Sequence, residues 1–196
     1  MQFFNRTINL SFEHNSPKDF VQSQWQRSKK SCAYVVFRWI IASFQIFSVM
    51  LSIITTVKEE KLNFYWVYLT NWNLCLTMIV MIWSACLAAA FYMDRLNVGD
   101  KMTKSLKIFW CLSSSTNIYA ILISIVYWGV LYRIEENAVF DLNNIVVHGT
   151  NSLSVLINLV VVKQPERLSL VVYPLSFGVI YLAFSWLYPL FGGVNK

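Results

Sequence analysis

The chain has 196 residues, 57% of them apolar and 13% charged, with a formal net charge of +6 and a positive mean hydropathy. A soluble domain of this length buries only about two-thirds of its chain surface, too little to hide so much apolar side chain. The basic residues lie between apolar blocks without any RNA- or DNA-binding signature, so they speak for membrane topology and anionic lipid and against a nucleic-acid partner.

Residues 1–32 form a polar N-terminal segment without the apolar stretch of a cleavable signal peptide. It carries two glycosylation tripeptides, Asn5-Arg6-Thr7 and Asn9-Leu10-Ser11, of a kind that also arises by chance. Ser16-Pro17-Lys18-Asp19 has the form of a helix start, with a cap, a proline at the first helical position and an acid at the third. Phe20, Val21 and Trp25 follow at helical spacing beside Arg27, Lys29 and Lys30, which suggests a short helix on the cytosolic membrane face. A solvated linker is the competing expectation. Cys32 follows two lysines, as palmitoylated cysteines do, although an ordinary free thiol suffices. Neither it nor Cys75, Cys86 and Cys111 has metal-ligand spacing, so disulfides and metal ligands are not expected.

Residues 33–196 read as an all-α, polytopic transmembrane bundle with five spans at about 33–57, 65–92, 108–132, 138–162 and 170–194. Phe64, Tyr65, Trp66, Tyr68, Tyr92, Tyr132 and Tyr188 stand at their ends as interfacial anchors. Eleven Lys and Arg residues fall on the side of the N-terminus and four on the other, which puts the N-terminus in the cytosol. An odd number of spans then leaves the C-terminus outside, in the plasma membrane or the endoplasmic reticulum.

Polar groups in hydrocarbon are costly and mark the place to seek function. Arg38, near the cytosolic end of the first span, reads as a structural residue that snorkels. In the fourth span, Asp141, Asn144, His148 and Asn151 follow steps of three, four and three, which keeps them on one helix face, and Asn158 continues the line. Asp141 lies two turns from His148, about 10 Å along the axis and too far to bond it, whereas Asn144 is within a turn and suited to fix a neutral imidazole. In the second span Thr70, Asn73, Thr77 and Ser84 share a face, with Asn71 alongside. Counting about 20 residues back from the inner ends of both spans puts Thr70 and His148 near the same outer boundary.

These residues allow two readings. In one, Thr70 attacks an ester with His148 as general base, and Asn71, Asn73 or Asn144 donates to the oxyanion. In the other, favoured by the residues alone, all of them are hydrogen-bonding glue between helices.

At the same positions the chain resembles a known family. Trp66-Val67-Tyr68-Leu69-Thr70-Asn71-Trp72, His148-Gly149-Thr150-Asn151-Ser152, and the run from Pro165-Glu166-Arg167 through Tyr173-Pro174 and Tyr181 to Phe191-Gly192-Gly193 resemble segments of the rolling stone family of animal membrane proteins. The resemblance implies a role in cell-membrane or myoblast fusion. It also implies a sixth span beyond Gly193, so the expectation is a six-span bundle short of its last helix. A remoter similarity to the androgen-induced hydrolases of fatty acid esters of hydroxy fatty acids implies a threonine-type lipid hydrolase with Thr70 and His148 in the catalytic positions.

Three functional classes result. The first is a rolling-stone-type protein of membrane fusion, although the outer loops at 58–64 and 133–137 are short. The second is an intramembrane esterase that takes lipid esters sideways from the bilayer, with Asn71, Asn73, Asp141, Asn144 and Asn151 as polar lining. The third is a channel or transporter, without a filter motif or repeat to support it. Membrane lipids are the expected partners; no cofactor is expected, since there is no Gly-rich phosphate loop or metal-ligand cluster.

Overall fold

A computed structural model of the chain describes residues 13–134 and 142–191, apart from the side chains of Leu168 and Ser169. The tripeptides at Asn5 and Asn9 and the candidate Asp141 lie outside the described residues. Among the described residues five helices are long and apolar enough to cross a membrane: α1 (Cys32–Lys58), α2 (Leu69–Tyr92), α3 (Lys104–Ile134), α4 (Leu142–Val161) and α5 (Val172–Leu190).

Their ends reflect local chemistry. Ser31 caps α1 by accepting the Tyr34 N–H at 3.2 Å, and Thr103 caps α3 by accepting that of Leu106 at 3.2 Å. After α1 and α2 the chain turns through left-handed residues, Glu60 (φ 59°) and Asp94 (φ 57°). The second helix starts later than hydropathy suggests, because Leu62–Val67 forms a 3-10 turn. That turn buries Tyr65, so Tyr65 is a core residue rather than an interfacial anchor, while Trp66 and Tyr68 remain exposed.

Small residues let the helices approach. Ala42 of α1, Ala85 of α2 and Ala120 of α3 are buried with Val155 of α4 in one cluster. A second cluster, at the N-terminal face, joins Phe109 and Trp110 of α3 to Phe20, Val21 and Leu170. This cluster corrects the expectation of a surface helix after Ser16. The chain makes only a five-residue 3-10 turn, Pro17–Val21, whose apolar side chains insert into the bundle instead of lying on a membrane. Backbone bonds then tie the segment to the end of α4, from Gln24 N–H to the Val161 carbonyl and from Lys163 N–H to that of Gln22, each at 3.1 Å.

Helix α5 is held at a few points. The Tyr119 hydroxyl donates to the Pro174 carbonyl at 2.9 Å, and that of Tyr181 to the Val67 carbonyl at 2.8 Å. Gly178 allows the first contact, since a Cβ there would lie 2.3 Å from the Tyr119 oxygen. The rest of α5 shows Ile180, Leu182 and Trp186 to the outside, as a lipid-facing helix does.

Arg38 also departs from expectation. It is 2% exposed and does not snorkel. Its Nε donates to the Tyr34 hydroxyl at 2.9 Å, its Nη1 donates to Asn158 Oδ1 across the bundle, and its guanidinium lies 5.1 Å from the Tyr34 ring centre. The reason is that Asn158, on a different helix, offers an acceptor at that depth, so the charge need not reach for the interface.

Candidate functional site in the α2–α3–α4 cleft

Both α3 and α4 contain a wide turn, at Tyr127–Leu131 and Ile145–Thr150. There the backbone step lengthens to five residues: Tyr132 N–H bonds the Tyr127 carbonyl, and Asn151 N–H bonds that of Val146. Such π-type turns cost hydrogen-bond geometry and cluster at functional sites. Here the two lie side by side, and the His148 ring is stacked flat on Tyr127, with centroids 3.6 Å apart and planes 7° from parallel.

The wide turn of α4 overturns the single polar face expected from the sequence. It inserts about one extra residue into the turn, which rotates the remainder of α4 by about 100° relative to a regular helix. Asn151 and Asn158 therefore face α1. Gln45 Nε2 donates to Asn151 Oδ1 at 3.1 Å and to Ser154 Oγ at 2.7 Å, and Asn158 receives Arg38. His148 instead turns to α3. Asn144 stands half-buried at the start of the wide turn.

Thr70 sits in the first turn of α2. It and His148 line the same cleft, together with Tyr127, Leu122 and Val126 of α3 and Tyr181 of α5; the cleft measures about 300 Å³ and is partly open to the outside of the bundle. Thr70 and His148 are not hydrogen-bonded to each other, and the Thr70 hydroxyl bonds none of the described residues. The walls are apolar apart from these groups.

The other candidates separate by their partners. Asn71 is committed to the fold: its Nδ2 donates to the Tyr65 carbonyl at 2.7 Å, and its Oδ1 accepts from Ser52 at 3.4 Å. That leaves the second N–H of the Asn71 amide, while its oxygen and first N–H hold the turn before α2. Asn73, two residues further along α2, is 1% exposed, and neither atom of its amide has a partner among the described residues. Among those residues no group of three or more His, Cys, Asp or Glu side chains could hold a metal.

Sequence reasoning missed Tyr127, and with it the support of the imidazole. A faint signal exists: each wide turn carries glycine, in Tyr127-Trp128-Gly129 and His148-Gly149-Thr150, a residue that weakens a regular helix.

Fold and cleft together define a polytopic helical membrane protein with a polar pair set in a cleft open to the surrounding medium. A family model, Rost: Protein rolling stone, matches residues 2–196. The chain belongs to the rolling stone family. It is similar to Protein rolling stone of Drosophila melanogaster, at 30% identity over 206 residues covering 98% of this chain and 74% of that protein. No solved structure matches it.

Proposed function

We propose that this rolling-stone-type protein binds a membrane lipid in the α2–α3–α4 cleft and cleaves an ester bond of that lipid. The observation that carries the reading is a division of labour among the polar groups within the helices. Arg38, Gln45, Ser52, Asn71, Asn151, Ser154 and Asn158 are spent on bonds between elements of the bundle. Thr70 is not, and it shares an apolar cleft with His148. Helix glue would spend that hydroxyl on a bond between elements, whereas half-buried Thr70 makes none among the described residues.

In the proposed reaction the Thr70 oxygen attacks the ester carbonyl carbon while its proton passes to His148. The tetrahedral intermediate collapses, the alcohol leaves with the proton from His148, and an acyl-threonine remains. Water, deprotonated by His148, then attacks the acyl carbon, and the second tetrahedral intermediate collapses to the fatty acid as the Thr70 oxygen leaves and takes the proton back from His148. Tyr127 holds the imidazole plane by stacking. The missing Thr70–His148 bond is compatible with this scheme, because catalytic hydrogen bonds are often long until substrate binds. A fluorophosphonate probe tests the reading: labelling of the wild-type protein that is lost in Thr70→Ala and in His148→Ala supports it, and no labelling of the folded protein overturns it.

A second reading, action in cell-membrane or myoblast fusion, is supported by the family match along nearly the whole chain. Co-culture of expressing cells, scored for mixing of cytoplasm, distinguishes it: fusion that persists in Thr70→Ala favours this reading without the chemistry. The proposed orientation has the N-terminal face in the cytosol, on the excess of basic residues there. Glycosylation of a tripeptide inserted between Lys58 and Leu62, with none after one inserted near Val98, is the expected outcome.

A further inference from the structure

A second cleft opens at the N-terminal face, away from Thr70, between α3, α4 and the start of α5. It measures about 230 Å³. Its apolar wall includes Ile118, Ile121 and Leu159, and its polar end is formed by Ser114, Asn117, Glu166 and Arg167. The connection between α4 and α5 is folded inward to make it. Leu170 is 1% exposed within the core cluster, and the indole of Trp110 donates to the Pro165 carbonyl at 2.8 Å. These anchors carry Glu166 alongside α3, where Ser114 Oγ donates to one carboxylate oxygen at 2.8 Å and Asn117 Nδ2 to the other at 2.9 Å.

The electrostatics of this end are unbalanced. Glu166 remains open to the cleft as a residue, yet the protein around it pushes its carboxyl up from the usual range, against the lowering effect of the Ser114 and Asn117 bonds. No cation forms an ion pair with it among the described residues. Asn117 is 3% exposed, and with its amide nitrogen turned to Glu166 its Oδ1 is a buried acceptor that no described residue satisfies. At the head of an apolar cleft a carboxylate without a countercharge thus stands beside an enclosed amide oxygen without a donor, a pair that a positive N–H group would satisfy. Beside them Arg167 lies 4.9 Å from the Trp110 ring centre and uses Nη1 on the Glu13 carbonyl at 2.9 Å, which leaves other guanidinium donors for an anion.

We infer that this cleft binds an aminophospholipid of the leaflet on the N-terminal side. Its primary ammonium bonds Glu166 and Asn117 Oδ1, its phosphate meets Arg167, and its acyl chains leave along Ile118 and Ile121 into the bilayer. The three N–H donors of a primary ammonium suit two acceptors of this kind. A quaternary ammonium has no N–H, and an anionic headgroup without an amine would confront the carboxylate.

Native mass spectrometry of the purified full chain with defined lipids tests this. The probes are phosphatidylethanolamine, its mono- and dimethylated forms, phosphatidylcholine, phosphatidylglycerol and diacylglycerol. The expected result is retention that falls stepwise with N-methylation, at least tenfold from phosphatidylethanolamine to phosphatidylcholine, and a preference that Glu166→Gln abolishes. Equal retention of phosphatidylcholine, retention of phosphatidylglycerol or diacylglycerol as strong as that of phosphatidylethanolamine, or an unchanged preference in folded Glu166→Gln overturns it. The methylation series uses the wild-type protein, so it decides the matter even where the variant fails to fold.

Discussion

Replacing Asn158 by leucine removes from α4 the acceptor that holds the buried guanidinium of Arg38. With Asn158 gone, Arg38 keeps the Tyr34 hydroxyl at 2.9 Å and the face of its ring, both on its own helix. The link from α1 to α4 at that level is lost. A hydrogen bond to a charged group is worth about 1.5–3 kcal/mol in a protein interior, whereas bonds between membrane helices average about 0.6 and reach about 1.7 kcal/mol. Arg38 is almost completely enclosed, so the upper part of the membrane range applies, about 1.5–1.7 kcal/mol. At roughly 2–4 °C per kcal/mol for a chain of this size, the midpoint of thermal unfolding in detergent, followed by tryptophan fluorescence, should fall by about 3–7 °C. Asn158→Asp keeps an acceptor and adds a countercharge, so it should unfold at or above the wild-type temperature. A double-mutant cycle with Arg38→Met should give coupling well above the ~0.3–0.5 kcal/mol of independent sites. A wild-type midpoint for Asn158→Leu, or strictly additive effects, would refute the view that Arg38 is bound inside the bundle.

Other consequences rest on single contacts. Gly178→Ala sets a Cβ 2.3 Å from the Tyr119 oxygen and should loosen α5 at a cost of about 1–3 kcal/mol, while adding Tyr119→Phe should recover part of the stability, because the next atom stands at 3.6 Å. Tyr127→Leu removes a stacking contact worth about 0.5–1.5 kcal/mol and should slow probe labelling about 2- to 12-fold, with Tyr127→Phe close to wild type. Burial tends to raise the Asp19 carboxyl, but bonds from His14 at 2.9 Å, Lys163 at 3.0 Å and Ser16 at 3.1 Å outweigh it and hold the group below its ordinary value of 3.8. A depressed acid stabilises the fold above its ordinary value and loses that contribution as pH falls through the folded one. The difference in unfolding midpoint between wild type and Asp19→Asn should therefore be full near neutrality and shrink below about pH 4.

The helical spans were legible because length and apolarity are properties of one segment at a time. Cys32–Lys58 and Leu69–Tyr92 can be read from hydropathy and flanking charge alone. The features that were not legible depend on contacts between segments. Whether an intramembrane arginine snorkels turns on an acceptor such as Asn158, 120 positions away. The helical face of Asn151 turns on a wide turn that a fixed step of 100° per residue excludes in advance. The shared cleft of Thr70 and His148 exists because α2 and α4 both pack on α3 and α5 closes one wall through Tyr181, a relation that no single-helix pattern contains. Glu166 looked like loop; the buried Leu170 and the Trp110–Pro165 bond bring it inside.

The central claim is that Thr70 and His148 form a site for lipid-ester chemistry, and turnover measures it most directly. The purified full chain in nanodiscs is given a fluorogenic long-chain fatty acid ester, and release of the fluorophore is followed with time. The account predicts saturable hydrolysis by the wild-type protein and a loss of about 100-fold or more in both Thr70→Ala and His148→Ala, each folded by its unfolding midpoint. A folded wild-type protein with no hydrolysis above empty nanodiscs, or variants as active as wild type, would contradict it.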